Sequence, residues 1–436
     1  MIPAAMDAAR SLHIGFVAPA FPSHFRALEA LADTLRQRGH RITFYQQIDA
    51  AGLLSDPATR FRAVGETSHP AGTLAGVLRR AASPGSPLGL RRVIRDMAAT
   101  TDMLCRTLPE AVRRDQVDLL VCDQMEAAGG LVAESLGLPY VSVACALPIN
   151  REPGIPLPVM PWSCGQQPRD LEMQRASTRI YDHMMAPHRA VIRAHAARFG
   201  LAPRDGLHEC LSPHAQITQT TVGFDFPRSA APAHFHAVGP LRTAAPQVMP
   251  ELGLSSDRPF VFASLGTLQG QRRALFQRIA AACQRQRIQV LIAHCGGLTD
   301  AQAEALRVPG SVWVTDFAPQ QAVLQRADAV ISHAGLNTAL DACAAGVPVL
   351  ALPIAFDQPG VAARLVHAGA GLKASPHWTT SRGLGRMLRR LLDEPAFAAN
   401  AQRLALGLAE AGGAREAADV VEQVAAAHAA QHSHAA

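Results

Sequence analysis

Between Asp316 and Gly360 the chain gathers His333, Asn337, Asp341 and Asp357 in the run "DFAPQQAVLQRADAVISHAGLNTALDACAAGVPVLALPIAFDQPG", with small residues between them. The pattern reads as strand, turn, helix, strand, turn. "AVISH" closes a strand at His333, and Ala334 and Gly335 open a helix with little side-chain bulk. Such an amino end offers unpaired N–H groups and the positive end of the helix dipole to an anion. A diphosphate suits it. His333 would add a side-chain donor, Gly335 would let the backbone come close, and Asn337 and Thr338 would face the same charge from the first turn. Asp341, one turn on, would reach ribose hydroxyls. Asp357 and Gln358 stand just past the next strand, "VLALP", where an acceptor and an amide could bind a hexose. Phe317 could stack on a base. Taken singly, each has a structural reading: a turn His, helix capping by Asn337 and Thr338, a solvated Asp, a core Phe. Together on one rim they read as a nucleotide-sugar site.

The elements that must position them repeat along the chain. "HIGFVA" (His13–Ala18) reads as a strand; Leu28, Leu31, Ala32 and Leu35 follow at helical spacing; Gly39 ends that helix and "ITFY" (Ile42–Tyr45) resumes as strand. "DLLVC" (Asp118–Cys122), a helix through Val132 and Leu136, then "YVSVA" repeat the unit. Alternation of this kind predicts an α/β fold with parallel, doubly wound sheets. Arg151–Pro168 breaks the rhythm with many prolines, and a helical stretch follows, so 151–199 is an insertion in the first domain, 1–238. The Pro-, Gly- and Ser-rich stretch His234–Pro259 holds the linker, 239–259. Alternation restarts at "FVFAS" and runs through "VLIAH", "VWVT", "AVIS" and "VLALP", giving a second domain, 260–410, with a final helix and tail, 411–436. Ligands of such sheets sit at the carboxyl ends of strands, so the cleft between the domains is the expected site.

Composition narrows the function. A length of 436 residues exceeds one ordinary core. The net charge of +6 comes from scattered Arg, with Lys373 the only Lys and no basic run interleaved with aromatics, which argues against nucleic acid as a partner. Eight Cys without a C-x-x-C pair fit reduced thiols and a cytoplasmic setting. "LHIGFVAPAFPSHF" holds two His and two Pro and runs into an amphipathic helix, unlike a signal peptide. No apolar run reaches the ~18 residues of a membrane span. His428, His432 and His434 in the tail lack a nearby carboxylate or Cys and read as a polar end rather than a metal site.

The quoted passage resembles the donor-binding signature of the UDP-glycosyltransferase superfamily, W-x-P-Q…H-x-G-x-N-[ST]-x-x-[DE]…G-V-P…P…[DE]-Q. Pro319, Gln320, His333, Gly335, Asn337, Thr338, Asp341, Gly346, Pro348, Pro353, Asp357 and Gln358 match it. "FASLGTLQG", "IAHCGGLTD", "ALPIAFDQPGVAARLV" and the opening "VAPAFPSHFRALEALA" extend the resemblance over nearly the whole chain, toward the bacterial zeaxanthin glucosyltransferase group. It implies a GT-B fold: two Rossmann-like domains facing across a cleft, with acceptor on the first and nucleotide sugar on the second. It implies inverting transfer of glucose from UDP-glucose to a hydroxyl of a carotenoid such as zeaxanthin. Two positions depart from the plant-type pattern, Phe317 for Trp and Asp341 for Glu, and both bear on the nucleoside.

The superfamily places its base in the loop after the first strand, which is His24 here, and an orienting carboxylate where Asp123 ends "DLLVCD". A His suits base chemistry near neutrality, and an imidazolium needs a carboxylate partner. The leaving UDP would meet the helix end at Gly335–Asn337, His333, and Ser264 and Thr267 of "SLGT", so no metal or other cofactor is expected. The expected partners are UDP-glucose, a carotenoid and, because that acceptor lives in bilayers, the inner face of a membrane, touched by "GIPLPVMPWS" (Gly154–Ser163). Transfer to a macrolide, sterol or polyketide, a UDP-N-acetylglucosamine 2-epimerase and a non-catalytic binding protein are the competing readings.

Overall fold

The computed structural model describes residues 11–83, 86–243 and 248–433; His434 of the tail lies outside them. Among the described residues a first sheet contains β1 (His13–Val17), β2 (Arg41–Gln46), β3 (Arg60–Ala63), β4 (Leu119–Asp123), β5 (Tyr140–Ala144), β6 (Ala215–Thr218) and β7 (Phe235–Ala237). Its spatial order is β3-β2-β1-β4-β5-β6-β7, parallel throughout. A second parallel sheet holds β8 (Phe260–Ser264), β9 (Gln289–Ala293), β10 (Val312–Thr315), β11 (Ala329–Ser332), β12 (Val349–Ala351) and β13 (Gly371–Lys373), in the order β10-β9-β8-β11-β12-β13. The long apolar strands match their sequence readings to within a residue or two. β3, β6, β7 and β13 are short, and β3, β7 and β13 are edge strands. Pieces such as "RFRA" and "GLK" carry no apolar run to betray them.

Helices cover both faces of each sheet. Around the first are α1 (Pro22–Gln37), α2 (Leu74–Ala82), α3 (Pro87–Asp115), α4 (Ala127–Leu136), α5 (Pro168–Met184) and α6 (Ala186–Arg198). Around the second are α7 (Arg273–Arg285), α8 (Asp300–Glu304), α9 (Gln320–Leu324), α10 (Leu336–Ala344), α11 (Gln358–His367), α12 (Ser381–Asp393) and α13 (Pro395–Ala409). A parallel sheet buried on both sides is why its strands read as unbroken Val, Ile and Leu. The last helix, α14 (Gly413–Ser433), returns to the first domain. The Gly413 N–H donates to the Val238 carbonyl at 2.7 Å, and Ala417, Ala418 and Val421 enter the core beside Leu28 and Leu31 of α1. The chain end thus physically belongs to the domain it started from.

Both sheets reverse their winding between their first strand and a later one, at β1/β4 and at β8/β11. At such a switch the following loops run to opposite faces and leave a crevice at the carboxyl ends. The crevice at β1/β4 carries His24 and Asp123; the one at β8/β11 carries the Ser264–Thr267 loop and His333–Gly335. The two crevices open onto a shared cleft of about 1650 Å³.

Candidate active site

On the first domain, β1 leads through Ala18–Phe21 into α1, which Pro22 starts at its first turn, where a missing N–H costs nothing. His24 therefore sits at the amino end of α1. β4 pairs with β1, so its last residue, Asp123, is brought beside that turn although 99 residues away in sequence. Asp123 is fully buried; its Oδ2 accepts from His24 Nδ1 at 2.7 Å and its Oδ1 from the Met125 N–H at 2.8 Å. An ionised carboxylate only accepts, so Nδ1 carries the proton and Nε2 keeps its lone pair. Burial disfavours the imidazolium, but the Asp123 charge and hydrogen bond, with Asp357 adding across the cleft, outweigh it and raise the His24 pKa above 6.5. The dyad expected from sequence is assembled.

Cys145, just beyond β5, was not anticipated. Its thiol lies with the ligand atoms of His24 and Asp123 inside a 4.8 Å group, the one such group among the described residues that could hold a metal ion. Burial, then the Asp123 charge and hydrogen bond, raise the thiol's pKa well above the ordinary 9.0. A protonated thiol there is a donor to the carboxylate, not a ready metal ligand. Glu126, one turn beyond Asp123, has its carboxyl pushed up to about 7, chiefly by burial. It accepts from Thr101 Oγ1 at 2.7 Å and the Ala128 N–H at 3.0 Å.

On the second domain, β11 ends at Ser332, Ala334 takes a left-handed φ of 62°, and Gly335 caps α10. The His333 imidazole is wedged between two glycines. A Cβ on Gly266 would lie 2.6 Å from its Cε1, and one on Gly335 would lie 2.5 Å from its Nε2. Burial pulls the His333 pKa down to about 4, so the ring is neutral and can offer an N–H but no charge. Ser264 is buried and Thr267 exposed, both on the cleft wall.

Gln320, Thr338, Asp341 and Arg242 form a hydrogen-bond network. Gln320 Nε2 donates to Asp341 Oδ2 at 2.6 Å, Thr338 Oγ1 donates to Gln320 Oε1 at 3.3 Å, and Arg242 Nε donates to Asp341 Oδ1 at 2.7 Å. Phe317 is 60% exposed on the cleft, a platform rather than a core residue. Arg242 lies in the linker, where a charge among Pro and Gly carries no spacing signal. It also donates to Gln219 Oε1 at 2.9 Å and the Asn337 carbonyl at 3.1 Å, tying the two domains together.

Several sequence-picked residues face the other domain. Asn337 Nδ2 donates to the Ser23 carbonyl at 3.1 Å, next to His24. Asp357 accepts from the Leu147 N–H at 3.1 Å, while Gln358 Oε1 accepts from the Ile354 and Ala355 N–H groups at 2.8 and 2.9 Å. All three line the cleft. Behind them the seam is locked by Arg364, ion-paired with Asp225 and lying 4.3 Å over the Phe226 ring; Arg228 joins Asp225 and Glu152. The Pro-rich insertion packs here as well. The Pro158 carbonyl accepts the Gly360 N–H at 3.1 Å and the Pro161 carbonyl accepts from Lys373 Nζ at 2.6 Å. "GIPLPVMPWS" is therefore a strap between domains whose Leu157, Pro158 and Val159 line the cleft.

Comparison with known proteins supplies relatives. Residues 292–426 match the family model of the erythromycin biosynthesis protein CIII-like C-terminal domain. The zeaxanthin glucosyltransferase of Pantoea ananas is 51% identical over 94% of this chain and 96% of its own. That of Pseudescherichia vulneris is 46% identical over 94% and 97%. Among solved structures, the calicheamicin glycosyltransferase CalG4 superposes with a TM-score of 0.72 at 22% identity over 95% of this chain and 98% of its own. The glycosyltransferase VinC, in complex with dTDP, gives 0.68 at 22% identity over 95% and 99%.

Proposed function

Because this chain belongs to the GT-B glycosyltransferases, in the family of the bacterial zeaxanthin glucosyltransferases, we propose that it transfers glucose from UDP-glucose to a hydroxyl of a carotenoid such as zeaxanthin, with inversion. The observation that carries this reading is the His24–Asp123 pair facing the His333–Gly335 turn across one cleft, in a chain 51% identical to a zeaxanthin glucosyltransferase.

In this mechanism His24 Nε2 takes the proton of the acceptor hydroxyl as its oxygen forms a bond to the anomeric carbon. The bond from that carbon to the β-phosphate oxygen breaks, and the electron pair leaves on UDP. Asp123 fixes the tautomer and stabilises the imidazolium that results. The charge growing on the diphosphate meets the free N–H groups at the start of α10, the neutral His333 N–H and the Ser264 and Thr267 hydroxyls. Asp341 and Gln320 would hold the ribose and Phe317 the uracil; Asp357 and Gln358 would hold the glucose. Approach from the face opposite the leaving phosphate is what inverts the centre. These donors answer the leaving-group charge without a metal ion.

The cleft exceeds the ~300–1,000 Å³ of an ordinary ligand pocket, which suits two substrates, one a long polyene. Its first-domain wall is strongly apolar, with Val93, Ile94, Met97, Ile149 and Leu157 among its residues. All eight Cys are unpaired, in keeping with a reducing cytoplasm. The test is an assay with UDP-glucose and detergent-dispersed zeaxanthin, read by chromatography and mass spectrometry, with and without EDTA. One or two added hexoses, insensitive to EDTA and β-configured by NMR, are expected. Donor binding without any product would mean that the acceptor is another lipophilic alcohol. Hydrolysis or epimerisation of the donor alone would defeat the reading.

A further inference from the structure

Building on the reading that the acceptor is dissolved in a bilayer, we propose that the mouth of the acceptor half of the cleft docks on an anionic phospholipid bilayer. The contact is the amino end of α3 with the exposed stripe of α5. Among the described residues no helix is long and apolar enough to cross a membrane, and the Pro-rich strap is held against the second domain. The strap's Ile155, Leu157, Val159, Met160 and Trp162 are only partly exposed, whereas α3 and α5 carry exposed apolar side chains.

Leu90 and Arg91 of α3 and Met184 of α5 all line the cleft while remaining exposed, so these two helices frame its mouth. From that rim each helix carries an outward stripe. On α5, Met173, Ile180 and Met184 recur at i, i+7 and i+11, one helical face, and all three are exposed. On α3, Leu88 is 70% exposed and shares its face with Arg91, Arg92 and Arg95, three, four and seven residues on. Large apolar side chains left in water beside a pocket mouth mark an interaction surface.

The charges select the occupant. Arg79, Arg91, Arg92 and Arg95 are exposed and enter no ion pair among the described residues, whereas their neighbour Arg80 is bidentate with Asp96. On α5, Arg179 is exposed at the flank of the stripe and Arg175 on the side away from it, with Glu172 the single exposed carboxylate. Apolar side chains that can enter the headgroup boundary, accompanied on α3 by unpaired guanidinium groups that can reach phosphates, are what interfacial binding to anionic lipid requires. Docked this way, the cleft opens onto the acyl region, and a polyene can enter without crossing water.

The test is cosedimentation of the full chain with phosphatidylcholine vesicles containing or lacking phosphatidylglycerol. Two variants accompany it, Leu88→Ser/Ile180→Ser and Arg92→Glu/Arg95→Glu; none of these four residues lines the cleft. Binding to anionic vesicles is expected, weakened by added salt and reduced at least about tenfold by the charge reversals, since each arginine near the surface is worth about fivefold. The apolar pair should lower binding at all salt concentrations. Transfer to detergent-dispersed acceptor should be unchanged in both variants, while transfer to acceptor embedded in vesicles falls. Failure of the wild type to sediment at low salt, or equal sedimentation of all forms, overturns the proposal. Loss of a dimer in the same variants, without loss of vesicle binding, would assign the face to a second copy and also overturn it. If the wild type transfers nothing in detergent, the acceptor reading fails, and the vesicle result alone decides the docking surface.

Discussion

The two walls of the cleft do different work with the same architecture. Each stands at a switch point of a parallel sheet. The first-domain wall mixes an apolar lining with titratable groups and holds the His24–Asp123 pair, joined across 99 residues. The second-domain wall is more polar; it takes His333, Asn337, Asp341 and Asp357 from the single stretch Asp316–Gly360 and adds Arg242, Ser264 and Thr267 from outside it. Its proposed anion site is built from a helix end, a neutral His and two glycines, so it would fix geometry more than it titrates. On the proposed reading, the difference teaches that the donor would be held by preformed backbone, whereas the other wall would supply the proton chemistry and the apolar path.

That division can be broken most directly at the base. His24→Ala should lower kcat by about 10³-fold, within the range of general-base contributions, with UDP affinity by calorimetry unchanged. A matching loss of UDP affinity would mean that the walls are not separable. On the other side, Gly335→Ala forces a Cβ against the His333 ring and should weaken UDP binding about tenfold, the scale of one misplaced hydrogen bond. Adding His333→Ala should then cost less than it does alone, because the clash and the donor share one site; strict additivity would refute the wedge.

Two smaller effects sharpen the contrast through pH. His24 is held above its usual 6.5 by Asp123 and, less, by Asp357, so activity should rise with pH through a limb above 6.5. Asp123→Asn should lower both the rate and that limb, and Asp357→Asn should shift the limb the same way by less. A limb that ignores both would remove His24 as the titrating group. Glu126 has its folded pKa raised from 4.5 to about 7. The native state then binds more protons than the unfolded chain between those values, so Glu126 makes stability fall as pH rises across that window. Glu126→Gln should flatten that slope and gain on the order of 2 kcal/mol at pH 8, measured by chemical denaturation; an unchanged slope would show that the carboxyl is not proton-hungry.

The sequence alone carried the alternation of strand and helix, the division into two α/β halves and the donor stretch around His333, Asn337 and Asp341. These are local. In a parallel sheet the end of a strand and the start of the next helix are adjacent in space because they are adjacent in the chain, so spacing reads as geometry. Tertiary structure decided whatever depends on contacts distant in sequence. It put Cys145 beside the dyad, made Arg242 a clamp on Asp341, turned Asn337 and Asp357 toward the first domain, and sent α14 back to the domain of α1. It also packed the Pro-rich insertion against the second domain as a strap. None of these has a periodic or positional signature, because each is fixed by surfaces far apart in the chain that meet only on folding, within the first domain for Cys145 and α14 and across the cleft for Arg242, Asn337, Asp357 and the strap.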